Sequence, residues 1–165
     1  MNTVHIHLLL NHVPVIGAVI GLALLGVAIL RRSDELARVT FWLYALLGAA
    51  SVVVYLTGEP AEEAVENLAG VSKALIEQHE ESALVATIAM GAAGALALLA
   101  TFVFRRKAIP RPVVGGGFVM ALLITGLMGY TANLGGQIRH TEISAGAVPS
   151  VETSRARSGV EKDED

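Results

Sequence analysis

Residues 8–30, "LLLNHVPVIGAVIGLALLGVAIL", form an almost uninterrupted apolar run that ends at Arg31 and Arg32. About 20 apolar residues are the length that a helix needs to cross the ~30 Å hydrocarbon layer of a bilayer. Three more runs of this kind follow, over residues 39–58, 82–104 and 113–135. The sequence therefore predicts an all-α polytopic membrane protein, a bundle of four transmembrane helices.

The composition agrees with a membrane protein. Of the 165 residues, 53% are hydrophobic and only 16% are charged, and the mean hydropathy is +0.60. Soluble domains rarely reach this balance. The chain has no cysteine, which excludes disulfides, thiolate metal sites and covalent attachment of haem. We expect the protein to lie in a lipid bilayer and not to bind nucleic acid.

The charges of the connecting loops predict the orientation. The loops after the first and third runs are rich in basic residues: Arg31, Arg32, Arg38, Arg105, Arg106, Lys107 and Arg111. The loop after the second run has seven glutamates and a single basic residue, Lys73. By the positive-inside rule the arginine loops are cytoplasmic. The glutamate loop and both termini are then expected on the periplasmic side of a bacterial inner membrane.

The loop at 59–81 is predicted to be helical. A short outer helix is expected to begin at Pro60 and to end by Gly70. Ser72 is a candidate N-cap for a helix that continues into the third span. Residues 144–165 have no apolar periodicity and are predicted to be a disordered outer tail, which leaves 1–143 as the membrane domain.

Gly17 and Gly21 are four residues apart in the first span. Small residues at this spacing allow two helix backbones to approach closely in lipid. We expect them to pack the spans of one chain against each other, with oligomerisation as the alternative.

All five histidines lie at the ends of the predicted helices that face outward: His5, His7, His12, His79 and His140. His79 falls on the apolar face of its helix and is expected to point into the bundle. His5 and His12 are seven residues apart and share a face, whereas His7 lies ~200° around the helix from His5 and is expected to face away.

A polar stripe ends the fourth span. Tyr130, Asn133, Gln137 and His140 follow each other at steps of three and four residues, so they share one helical face. A polar stripe that faced lipid would be costly. We therefore expect this stripe to line the interior of the bundle.

These residues predict a ligand site at the outer end. At ~1.5 Å per residue, His12 lies ~29 Å above Arg31 and Glu59 lies ~32 Å above Arg38, so the two are almost level. Two imidazoles from different helices can hold a b-type haem. We predict His12 and His79 as the axial pair, His140 as the next candidate, Arg139 as a partner of a propionate, and Tyr130 and Gln137 as lining residues.

Two alternatives remain open. The first is a non-haem zinc, iron or copper ion held by nitrogen and oxygen ligands. Its candidate ligands are His12, His79, His140, Glu59, Glu63 and Glu80, with Glu62 and Glu142 nearby. The second alternative is a subunit that packs a larger membrane complex and binds no ligand, its histidines serving as interfacial anchors.

Three motifs carry a resemblance to a known family. "NHVPVIG" at 11–17, "LTGEPAEEAVENLAGVSKALIEQHEE" at 56–81 and "YTANLGGQIRHTEI" at 130–143 are similar to a family of small four-span bacterial membrane proteins. The resemblance implies that six residues belong to the family's motifs: His12, His79, Arg139, His140, Glu59 and Glu63. It implies no particular ligand.

The expected function is electron transfer by a non-covalent haem b, in an accessory subunit near respiratory or periplasmic redox proteins. No serine or cysteine nucleophile accompanies the polar groups, which disfavours a hydrolase. We do not expect the chain to be an enzyme by itself.

Overall fold

The structure of the chain, a computed structural model, describes residues 3–64, 66 and 71–139. Its helices are α1 (Thr3–Leu10), α2 (His12–Arg31), α3 (Asp34–Leu56), α4 (Gly58–Glu63), α5 (Lys73–Val103) and α6 (Arg111–Arg139). Four segments of this described part are long and apolar enough to cross a membrane: Thr3–Arg31, Asp34–Leu56, Lys73–Val103 and Arg111–Ile138. The prediction of an all-α, four-helix membrane bundle is confirmed. The predicted tail lies outside the described residues.

The first span consists of α1 and α2, joined end to end at Asn11. Pro14 has no N–H, and its ring crowds the carbonyl four residues earlier, so the regular helix is interrupted at this point. Asn11 nevertheless keeps helical angles (φ −58°, ψ −28°), and its N–H donates to the His7 carbonyl oxygen at 2.8 Å. The helical register therefore continues from α2 into α1.

The four long helices form a ring in which each packs against two neighbours, in the order α2, α3, α5, α6. Large apolar side chains cover the outside, among them Leu30 and Leu123, which are 84% and 69% exposed. Small side chains such as Ala18, Ala86 and Ala121 fill the interior. This distribution is expected in lipid, where close helix packing rather than burial of apolar surface holds the helices together.

Glycines allow the closest approaches between neighbouring helices. A Cβ atom on Gly94 of α5 would lie 2.8 Å from the Tyr44 carbonyl oxygen of α3, and one on Gly21 of α2 would lie 2.7 Å from Cε2 of Tyr44. Gly17 meets the Leu47 side chain in the same way. Gly17 and Gly21 thus pack α2 against α3 inside one chain, as expected. The alternative, that they mediate oligomerisation, stays a prediction.

The turns α2–α3 and α5–α6 lie at the same end of the bundle, called here the arginine end. Asp34 and Arg38 pair at 2.7 Å. The Asp34 Oδ1 atom accepts from the Ile109 N–H at 2.6 Å. Arg38 donates to the carbonyl oxygen of Phe104 at 2.9 Å and to that of Lys107. One helical turn of α3 therefore ties the α5–α6 connection to the rest of the bundle.

Candidate functional site

The opposite end of the bundle, called here the histidine end, has a different inward-facing imidazole from the one predicted. His12 is exposed, whereas His7 is partly buried. The buried stripe of α2 contains Pro14, Ala18 and Gly21, and seven residues before Pro14 comes His7. Because the register continues through Asn11, the same stripe reaches His7 and leaves His12 outside. The prediction that His7 faces away from the site, and that His12 takes the inner position, is therefore wrong.

His7 is held against the end of α3. Its Nδ1 atom lies 3.0 Å from the Val54 carbonyl oxygen and 3.4 Å from the Thr57 hydroxyl. A carbonyl oxygen can only accept, so Nδ1 carries the proton. Gly58 lies beside the ring, where a Cβ atom would be 3.7 Å from His7 Cε1.

His79 is held against α6 in a matching way and occupies the inward position that was predicted for it. Its Nδ1 atom lies 3.0 Å from the Thr131 carbonyl oxygen, and again Nδ1 must be the donor. A Cβ atom on Gly135 would lie 3.0 Å from His79 Cε1 and 3.7 Å from Nε2. The missing side chain of Gly135 therefore makes room for this ring.

The two histidines occupy equivalent places in the two halves of the chain. His7 lies 24 residues before the end of α2, and His79 lies 24 residues before the end of α5. Their acceptors, Val54 and Thr131, each come 20 residues after the start of the second helix of the hairpin. In both halves a glycine follows the acceptor by four residues. At ~1.5 Å per residue both rings stand ~36 Å above the arginine end, and so at the same level.

The packing of the four long helices agrees with this equivalence. Exchanging α2 with α5 and α3 with α6 converts each of the observed neighbour pairs into another observed pair. The hairpins α2–α3 and α5–α6 therefore occupy corresponding places in the bundle, in the order that parallel repeats have in other membrane proteins.

The hydrogen bonds fix the same tautomer in both neutral rings. With the proton on Nδ1, Nε2 carries the lone pair and is free to act as a metal ligand. Histidines that bind metals almost always donate their other ring N–H in this manner, often to a backbone carbonyl. The arrangement therefore offers two oriented nitrogen ligands from diagonally opposite helices.

The glutamates gather around α4 and the start of α5. Burial, and then the negative charges of Glu80 and Glu59, raise the pKa of the Glu62 carboxyl above its ordinary value. Glu59, Glu63 and Glu80 themselves are exposed. Among residues 3–64, 66 and 71–139, no three histidine, aspartate or glutamate side chains are grouped closely enough to hold a metal ion.

Two residues of the predicted polar stripe of α6, Tyr130 and Asn133, face outward. Tyr130 is 56% exposed, and Gln137 donates to the exposed Asn133 side chain at 2.6 Å. The buried face of this part of α6 belongs instead to Thr131, Leu134 and Ile138. The expectation that the stripe faces the interior is therefore wrong at Tyr130 and Asn133, whereas Gln137 is half-buried and its place in the site stays a prediction. A tyrosine and a mutually bonded amide pair suit the interface between lipid and water, where such polar groups are hydrated.

Several predicted site residues lie outside the part of the chain that the structure describes. His140 and Glu142 lie outside the described residues, as does the side chain of Arg139. Conversely, the sequence interpretation missed His7 and the partners of both rings. The seven-residue step from Pro14 back to His7 was the signal that could have identified it.

Comparisons with family models, with curated proteins and with solved structures found no match. The resemblance drawn from the three sequence motifs therefore stays a prediction.

Proposed function

We propose that the chain binds one haem b non-covalently between His7 and His79 and serves as a one-electron carrier in the membrane. The observation that supports this proposal is the matched pair of imidazoles. Each ring is anchored by an Nδ1–H···O=C bond of 3.0 Å to a neighbouring helix, which leaves Nε2 available. The ligand pair differs from the predicted one, since His7 replaces His12.

The number of available ligands favours haem over a bare metal ion. A porphyrin supplies four nitrogen ligands, so iron in haem needs at most two more from the protein. A bare zinc ion usually needs three or four protein ligands. The described ranges 3–64, 66 and 71–139 contain no such group of three histidines or carboxylates. The two imidazoles of His7 and His79 match the smaller number of protein ligands that haem needs.

The chain would contribute orientation, basicity and exclusion of water. The carbonyl oxygens of Val54 and Thr131 hold the rings in one tautomer and increase the basicity of Nε2. Gly58 and Gly135 leave bare backbone beside the rings. The apolar bundle below keeps the dielectric low, which is one way a protein tunes the potential of a haem. The haem itself would supply reversible one-electron transfer.

The proposed setting is a bacterial inner membrane with the histidine end toward the periplasm, as the arginine-rich loops indicate. There the site would exchange electrons with respiratory or periplasmic redox proteins, and the chain would act as an accessory subunit. Arg139 and His140, close to this end in the sequence, are candidates for contacts with the propionates and for additional ligation.

The deciding experiment is the absorption spectrum of the purified chain, oxidised and reduced, for the wild type and three variants. His7→Asn and His79→Asn keep an amide N–H that can donate to the same carbonyl but remove Nε2. We expect the wild type to show the sharp reduced bands of a six-coordinate haem. Each asparagine variant should lose haem or become five-coordinate, since one axial ligand is missing.

His12→Ala is the matched control, because His12 is exposed on the same segment and was the axial ligand predicted from the sequence. It should keep the wild-type spectrum. A colourless protein that contains stoichiometric zinc, iron or copper would replace the haem proposal by the metal-ion alternative. A protein with neither would support the packing subunit, in which both histidines only join helices.

A further inference from the structure

A groove lies between α5 and α6 near the histidine end, on the surface that faces lipid. Its volume is about 300 Å³, at the lower end of the range for ligand pockets. Two of its walls, Val85 and Tyr130, are 55% and 56% exposed. The lining residues are Gln78, Glu81, Ser82, Val85, Leu127 and Tyr130.

The groove is amphipathic along the membrane normal. Because α5 descends from the histidine end and α6 rises toward it, Val85 and Leu127 form the lower part. Gln78 and Glu81 lie above them, closer to the histidine end, and Tyr130 lies about level with Val85. Glu81 is the one charged residue among the six that line the groove. An occupant therefore needs a hydrocarbon tail below and a cationic, hydrogen-bonding head above.

We propose that this groove binds a phospholipid with an ethanolamine headgroup. The acyl chain would cover Val85 and Leu127, and the ammonium group would donate to the Glu81 carboxylate, a charge-assisted hydrogen bond. The Tyr130 ring beside it can add a cation–π contact. A phosphatidylglycerol headgroup carries the same phosphate but has no cation for Glu81, the one charged residue of the lining, so charge complementarity selects against it.

The lipid site would adjoin the anchor of His79 without depending on what His79 binds. Ser82 lines the groove, and its hydroxyl lies 2.5 Å from that of Thr131. The carbonyl of Thr131 accepts the His79 hydrogen bond. A lipid bound against Ser82 is thus separated from the His79 ring by one residue of α6.

Native mass spectrometry of the detergent-purified full chain, supplied with equal amounts of phosphatidylethanolamine and phosphatidylglycerol, tests the proposal. We expect the wild type to retain one phosphatidylethanolamine in preference to phosphatidylglycerol. Glu81→Gln should reduce that preference about tenfold, the effect of losing one charge-assisted hydrogen bond. Glu77→Gln is the matched control, since Glu77 is exposed on the same helix but is not among the lining residues, and it should behave as the wild type.

A second variant tests the place of the acyl chain. Val85→Trp fills the lower part of the groove at an exposed position, so folding should be kept while retention of the lipid falls. Equal retention of both lipids by the wild type would overturn the proposal. So would a preference that Glu81→Gln and Val85→Trp leave unchanged, because lipid would then coat the bundle without using this groove.

Discussion

At the scale of single residues, the candidate site depends on two imidazoles and on the small residues that admit them. His79 has room because Gly135 carries no side chain, and His7 lies beside Gly58. Each ring bonds to a carbonyl oxygen of a neighbouring helix, His7 to Val54 of α3 and His79 to Thr131 of α6. The geometry at the His79 ring is therefore sensitive to a single methyl group on Gly135, whereas a Cβ atom on Gly58 would be in ordinary contact with His7.

Gly135→Ala should displace the His79 ring. The new Cβ would lie 3.0 Å from Cε1, so the ring must shift and its bond to Thr131 weakens, at a cost of about 1 kcal/mol. The same replacement at Gly129, which has no neighbour within 4 Å, should instead stabilise α6 through helix propensity, by up to about 1 kcal/mol. Thermal unfolding in detergent measures both. Equal effects of the two replacements would mean that the contact of Gly135 with His79 does not form.

Much of this site could not be predicted from the sequence, for reasons visible in particular residues. The angle of ~200° between His5 and His7 suggested that His7 faces away, but the helical angles of Asn11 carry the buried stripe of α2 as far as His7. The polar spacing of Tyr130 and Gln137 is real, yet Thr131, Leu134 and Ile138 on the adjacent face are the residues that pack inward. Periodicity identifies a shared face, but it does not say which face the neighbouring helix covers.

At the scale of the helices, the fold was largely predictable because its signals are strong. The apolar runs and their arginine flanks gave the four spans, and α5 begins at Lys73 directly after the predicted cap, Ser72. The side chain of Ser72 makes no capping bond there, whereas Ser33 accepts from the Leu36 N–H at 3.2 Å at the start of α3. What the sequence could not predict was the link between Asp34 and Ile109, since 75 residues separate them.

This link predicts a local weakness at the arginine end. Asp34→Ala removes the acceptor of the Ile109 N–H and the partner of Arg38. The Ile109 N–H and the Arg38 Nε–H then each lose a hydrogen-bond acceptor. We expect a loss of about 1–3 kcal/mol in the free energy of unfolding, typical of an unsatisfied polar group. Glu35→Ala is the control, because Glu35 is the exposed neighbour in the same helical turn. Denaturant titration of both variants measures the difference, and the prediction fails if Glu35→Ala costs as much.

At the scale of the whole molecule, the two hairpins place corresponding residues at corresponding positions, a match that the sequence interpretation did not identify. The repeated features are positions of a histidine, a backbone acceptor and a glycine, and the residues between them differ. The threonines near the two rings also differ in position. Thr57 follows the acceptor Val54 by three residues, whereas Thr131 is itself the acceptor. Because each imidazole lies 24 residues before the end of its helix, both lie at about the same level. The orientation of the chain in the membrane therefore determines the side on which both imidazoles lie.

Single cysteines can establish that orientation, since the chain has no cysteine of its own. Glu63→Cys places a thiol on α4 at the histidine end, and Arg105→Cys places one on the α5–α6 connection at the arginine end. Both positions are exposed, so neither variant should disturb the bundle. The positive-inside rule predicts that the arginine end is cytoplasmic. A membrane-impermeant maleimide added to intact spheroplasts should therefore label Glu63→Cys and spare Arg105→Cys, and it should label both after the membrane is broken. The reverse pattern would place His7 and His79 on the cytoplasmic side, and periplasmic redox proteins would then be excluded as direct partners of the site.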